Sequence, residues 1–141
     1  MIILDTDHIN ILQNQHGNEF QNLTSKMSAS ADQDFVTTVI TFEEQMRGWL
    51  ALINRSNDAH RQVAGYDKLN TVVDFFARWN RLPFDDASAT EFKSLRDQKI
   101  RIGTMDLKIA SIALSQDALV LSANLRDFEQ VPNLQVEDGL H

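Results

Sequence analysis

The chain has no cysteine, only two prolines and a single tyrosine among its 141 residues. Without thiols there is no disulfide, no thiolate nucleophile and no Cys-ligated zinc or iron–sulfur site. No apolar run approaches the roughly 18 residues that a membrane-spanning helix needs, so no membrane partner is expected. The N-terminus, Met1-Ile2-Ile3-Leu4-Asp5, lacks a basic segment and reaches an acid after three apolar residues, unlike a signal or transit peptide. A soluble protein of the cytosol is the expectation. Linker composition, repeats and low-complexity tracts are also missing, which predicts one domain over residues 1–141. Positive charge is scarce, with 13 Lys and Arg against 20 Asp and Glu and a formal net charge of −7. That deficit excludes a broad electropositive face for nucleic acid. A nucleic-acid function then requires cations bound locally, which reverse the sign of a site. The acidity also suits a basic protein partner.

What the chain does have is 43% hydrophobic residues in short blocks. Ile2-Ile3-Leu4, Phe35-Val36 running on through Val39-Ile40, and Leu119-Val120-Leu121 read as strands, with a fourth at Leu134-Gln135-Val136. These blocks are continuous, not alternating, as in a parallel sheet covered on both faces. Helical spacing links Phe42, Met46, Trp49, Leu50 and Ile53, and again Leu69, Val72, Val73, Phe76 and Trp79. Gly17-Asn18 separates two short N-terminal helices, Asn57-Asp58 opens a long one that Pro83 ends, and Thr104 caps a helix over 104–117. Strands alternating with helices give the α/β class. The Trp49, Phe76 and Trp79 stripes read as core or subunit interface.

Acids fall where such a fold builds sites. Asp5 closes the first strand, and ligands of parallel sheets gather at strand carboxyl ends. Asp7 and Thr6 read as caps of the following helix, and His8 as a surface residue of its first turn. Glu44 stands three residues after Thr41, the capping-box spacing, with Glu43 on the solvent side. Gly48, one turn further on, costs about 1 kcal/mol of helix propensity, which suggests close backbone or ligand. Asp106 lies in the first turn of its helix, where exposed amides favour an anion. Ser122, Asn124 and Asp127 follow the Leu119–Leu121 strand, a position where Asx residues also simply form turns. No histidine falls near these acids, and an all-oxygen set suits Mg²⁺ or Mn²⁺. Lys93, Arg96, Lys99, Arg101 and Lys108 flank the approach to Asp106, either as a track for an RNA backbone or as a solvated face with an Asp97–Arg101 pair.

Four segments together resemble the PIN-domain ribonuclease toxins of the VapC type. They are Ile3-Leu4-Asp5-Thr6-Asp7, Val39 to Gly48, Ile102 to Ala110, and Leu121-Ser122-Ala123-Asn124-Leu125-Arg126-Asp127-Phe128. The resemblance implies a three-layer α/β/α domain with a central, mainly parallel sheet. It implies a Mg²⁺- or Mn²⁺-dependent endoribonuclease, the toxin of a type II toxin–antitoxin pair, restrained by a small cognate antitoxin and forming homodimers. Matched by motif, Asp5 and Asp106 look like metal ligands, Glu44 a ligand or positioner of a water, and Thr6, Thr104 or Ser122 hydroxyl contacts within the site; Lys108, from the basic cluster, is a further candidate for binding substrate. The family often has an acid where this chain has Asn124, so the fourth position lies between Asn124 and Asp127.

Two other classes compete. A receiver-like phospho-acceptor domain also places acids at strand ends, but it wants a Lys after a late strand, and Leu121 is followed by Ser122, Ala123 and Asn124. A non-catalytic partner-binding module would keep the fold and lose the chemistry.

Overall fold

The computed structural model describes residues 1–141. In chain order the elements are β1 (Ile2–Leu4), α1 (Thr6–Asn14), α2 (Asn18–Ala29), β2 (Phe35–Thr38), α3 (Val39–Ile53), α4 (Ala59–Ala77), β3 (Arg81–Leu82), α5 (Asp86–Asp97), α6 (Thr104–Gln116), β4 (Leu119–Leu121), α7 (Leu125–Phe128) and β5 (Gln135–Glu137). The strands form one sheet in the order β3-β2-β1-β4-β5, and every pair is parallel. The first strand is therefore the central one.

Successive strand residues point to opposite faces. Ile3, Val36 and Val120 join Leu95, Ile109, Ile112 and Phe128 of α5, α6 and α7 in one core. Ile2, Leu4 and Leu121 join Ile9, Leu23, Val72 and Phe76 of α1, α2 and α4 in the other. The residues of β1 and β4 thus need apolar side chains whichever way they point, which is why those two strands are unbroken apolar runs, while β2 ends in the buried Thr37 and Thr38. The result is the expected three-layer α/β/α sandwich. Phe76 is wholly buried, while Trp49 and Trp79 pack against the same core. The α3 and α4 helices approach closely where Gly65 faces Ile53, since a Cβ there would overlap Ile53 Cγ1.

Several boundaries differ from the sequence reading. The second strand ends at Thr38 and does not run on through Val39-Ile40, because the Thr38 hydroxyl accepts the Thr41 N–H at 3.2 Å and starts α3. The long helix stops at Ala77, before Pro83, and the chain then makes the two-residue edge strand β3, which no periodic signal announces. The last strand is displaced by one residue, and α6 closes at Gln116 with Asp117 left-handed at φ 51°. Leu50 and Val73 share the spacing of their helices' inner faces yet are exposed. No helix is long and apolar enough to cross a membrane.

Candidate active site

The register brings the acids together. Leu4 of β1 pairs with Leu121 of β4, so the two strands end level and Asp5 meets Ser122. Asp5 does two jobs there. Its Oδ1 accepts the Thr6 N–H at 2.8 Å and caps α1, while Oδ2 accepts the Ser122 hydroxyl at 2.7 Å. Only 5% of Asp5 is exposed. Burial, helped by the negative charge of Asp7 and against the two hydrogen bonds, raises its pKa to about 7.

Glu44 arrives from the neighbouring strand. Because Thr38 and not Thr41 caps α3, Glu44 sits beyond the capping-box position and is free of the helix terminus. Its Oε1 accepts the Thr6 hydroxyl at 3.1 Å, and Thr6 Oγ1 also lies 3.1 Å from Thr41 Oγ1. Partial burial raises the Glu44 pKa, reinforced by the charges of Asp106, Glu43 and Asp7. Glu43 turns away and pairs with Arg47 at 2.5 Å. A Cβ on Gly48 would meet nothing within 4 Å, so no backbone or side chain of this protein demands glycine there, contrary to expectation.

Asp106 occupies the first turn of α6, whose N-cap is Gly103, with Thr104 the first helical residue and exposed. Thr104 is therefore not the cap, because the Gly103 carbonyl already accepts the Leu107 N–H at 2.9 Å. Burial raises the Asp106 pKa, with Asp127 and Asp7 adding to it. Asn124 lies between the two remaining acids, its Nδ2 donating to Asp106 at 3.1 Å and to Asp127 at 3.0 Å. Both candidates for the fourth position thus lie at the cluster, with a neutral amide between two carboxylates.

Asp5, Glu44, Asp106, Asp127, Asn124, Thr6 and Ser122 are joined in this network. Thr104 and Lys108 make no hydrogen bond or ion pair within it, and the Lys108 ammonium lies 5.8 Å from the Phe84 ring centroid. Arg96 covers Phe92 in the same way at 4.7 Å, and Asp97 and Arg101 do not pair, because α5 ends at Asp97 and Lys99 is left-handed at φ 61°.

Two residues were misread from the sequence. Asp7 does not cap α1, the place Asp5 takes: its Oδ2 accepts the Ala123 N–H at 2.9 Å, and its charge bears on Asp5, Glu44 and Asp106. His8 is wholly buried, one residue from the cluster, with Nδ1 2.7 Å from Asp7 Oδ1. Its spacing of three and four to Ile11 and Leu12, which pack on the core, is the signal that marks an inward face.

The donor set fits a hard cation. It is all oxygen, drawn from separate elements, and its mutual repulsion is what a positive ion would relieve. Each carboxylate is now turned to a protein donor, and no three converge as a ligand set.

No protein-family model matches the sequence. The chain is 32% identical over 84 residues to the tRNA(fMet)-specific endonuclease VapC of Salmonella typhimurium, covering 57% of this chain and 64% of that protein. That is less than two thirds of the Salmonella protein's length. It is 26% identical over 139 residues to Ribonuclease VapC of Rickettsia bellii, covering 96% of this chain and 93% of the relative. DNA-bound VapBC from Salmonella typhimurium contains a chain that superposes with a TM-score of 0.70 at 25% identity, covering 97% of this chain and 96% of that one. The chain folds as a VapC-type PIN domain.

Proposed function

We propose that the chain is a divalent-metal-dependent endoribonuclease, the toxin of a type II toxin–antitoxin pair, acting on RNA and restrained by a small antitoxin. The observation that carries this reading is the cluster itself: Asp5, Glu44 and Asp106 come from three elements to one sheet edge, where burial raises each pKa and the negative charges of Asp7, at all three, and of Asp106, at Asp5 and Glu44, add to the rise. Buried carboxylates are normally paired with cations, and none of these is. The names of the relatives agree with RNA as substrate. Exposed Leu50, Leu52, Val63, Tyr66 and Val73 on α3 and α4 support a protein partner, an antitoxin or a second copy of the chain.

Asp5 and Asp106 would hold Mg²⁺ or Mn²⁺, with Asn124 Oδ1 or Asp127 completing the set. When bound, the ion supplies the positive charge that lets a phosphate approach these acids and helps water to ionise. The chain's own residues do the positioning. Ser122 and the Thr6 amide fix both oxygens of Asp5, so its carboxylate cannot swing away. Asn124 keeps Asp106 and Asp127 apart. Glu44, half-buried and with its pKa raised by that burial, accepts a proton from the attacking water, while the Thr6 hydroxyl holds its orientation. Attack on the phosphodiester forms the new P–O bond and breaks the P–O3′ bond, leaving a 5′-phosphate and a 3′-hydroxyl whose oxygen takes its proton from solvent water.

Purified chain incubated with total RNA in Mg²⁺ or Mn²⁺ should give discrete fragments, and excess chelator should abolish them. Undiminished cleavage in chelator would refute the metal-dependent reading.

A further inference from the structure

The loop that carries Ser122 and Asn124 is short, and its middle residue, Ala123, is exposed, so core packing does not hold it. Its amide N–H is held by Asp7 Oδ2 at 2.9 Å. The other oxygen of Asp7 accepts twice, from the His8 backbone N–H and from the His8 ring, each at 2.7 Å. At the far side of that ring, Nε2 accepts the Gly139 N–H at 3.0 Å. A backbone amide can only donate, so Nε2 carries the lone pair and Nδ1 carries the proton. The imidazole is thereby fixed as one neutral tautomer that donates to Asp7. Gly139 makes this approach possible, since a Cβ there would lie 2.9 Å from Nε2 and 3.1 Å from Leu23 Cδ1.

We infer that Asp7 and His8 form a positioning clamp for the loop of the site: Gly139 sets the His8 ring, His8 sets Asp7, and Asp7 anchors Ala123. The inference rests on the nuclease reading above. The anchored residue lies between the two that matter. On one side Ser122 donates to Asp5 and its Oγ accepts the Asn124 N–H at 3.0 Å. On the other, the Asn124 amide reaches Asp106 and Asp127. A small rotation at Ala123 moves both contacts together. Asp7 therefore serves the acids through the loop and touches no substrate, with three donors already on its two oxygens.

The test compares the full chain with His8→Phe and His8→Asn, reading kcat and KM on RNA in Mn²⁺, amide hydrogen exchange at Ala123 and Asn124, and thermal melting. Both variants lose the Gly139 bond and should melt earlier. Asn supplies a side-chain N–H close to where Nδ1–H stood, so His8→Asn should keep slow exchange at Ala123 and most of kcat. In His8→Phe, exchange at Ala123 should quicken and kcat should fall by about tenfold or more at unchanged KM, the scale seen when groups that orient a site are lost. A folded His8→Phe with wild-type exchange and wild-type kcat would overturn the clamp. Should His8→Phe not fold, Asp7→Ala cuts the same link at a partly exposed side chain, and unchanged Ala123 exchange there would overturn it equally. Were the wild-type chain inert toward RNA, the nuclease reading would fall, while the exchange data would still decide the clamp.

Discussion

Asp5 ends the central strand, caps a helix and holds the most perturbed carboxyl of the site, with its pKa raised to about 7. The Ser122 hydrogen bond works against that rise, because a donor favours the ionised form. Removing it in Ser122→Ala pushes the Asp5 pKa further up. An activity that needs ionised Asp5 then loses its acid limb at higher pH, displaced by about one pH unit for a charge-assisted bond of this kind. At neutral pH the variant should be several-fold slower and should recover as the pH rises. The check is the pH–rate profile at fixed Mn²⁺, and a profile that merely scales down without moving would show that Ser122 acts by packing alone. Asp5 and Asp106 were legible in the sequence because one ends a strand and the other opens a helix, whereas Glu44 was singled out by a spacing from Thr41 that α3, capped by Thr38, does not use as a cap. Asp7 and His8 were not, since an acid in a helix's first turn is adequately explained as a cap, and the partner of His8, Gly139, is 131 residues away.

The turn from β2 into α3 shows how elements set the site. Val39 and Ile40 are β-branched and continue the apolar run, so propensity alone extends the strand. The Thr38 side chain overrides it by capping the helix, with the Thr41 N–H as its partner in a fully buried place. Thr38→Val keeps the shape and removes only the acceptor. It should cost about 1 kcal/mol of stability, seen as a lower urea midpoint with an unchanged slope. An unchanged midpoint would mean that the Thr41 amide finds another acceptor and the cap is dispensable. Thr41 also lies 3.1 Å from Thr6 Oγ1, so the same change should loosen the contact that orients Glu44. Strands β1 and β4 were readable because burial on both faces demands unbroken apolar runs, and β2 only through Phe35-Val36, since it ends in the buried Thr37 and Thr38. The edge strand β3 was not, because two residues carry no period, and α4 stops short of Pro83 at Ala77 with Arg78 as its C-cap.

At the scale of the whole molecule, a net charge of −7 and an RNA substrate are compatible only if the acid cluster is neutralised locally. The site's position follows from topology: the central strand of a parallel sheet delivers Asp5 to the carboxyl edge, its two neighbours bring Glu44 and Ser122 there, and α6 brings Asp106. Everything distinctive about the chemistry then depends on carboxylate charge at that edge. The most direct measurement is cleavage of a sensitive RNA in Mn²⁺ by wild type, Asp106→Asn and Glu43→Gln, each with a thermal melt. Asn at 106 keeps the side chain's shape and can still accept from Asn124, so its structural cost should stay within about 1 kcal/mol. It removes a full negative charge where a hard cation takes much of its affinity from such charge. Glu43 is engaged with Arg47 outside the cluster. The expected result is a folded, inactive Asp106→Asn beside a Glu43→Gln that cleaves nearly as wild type; a folded Asp106→Asn that still cleaves would contradict the site.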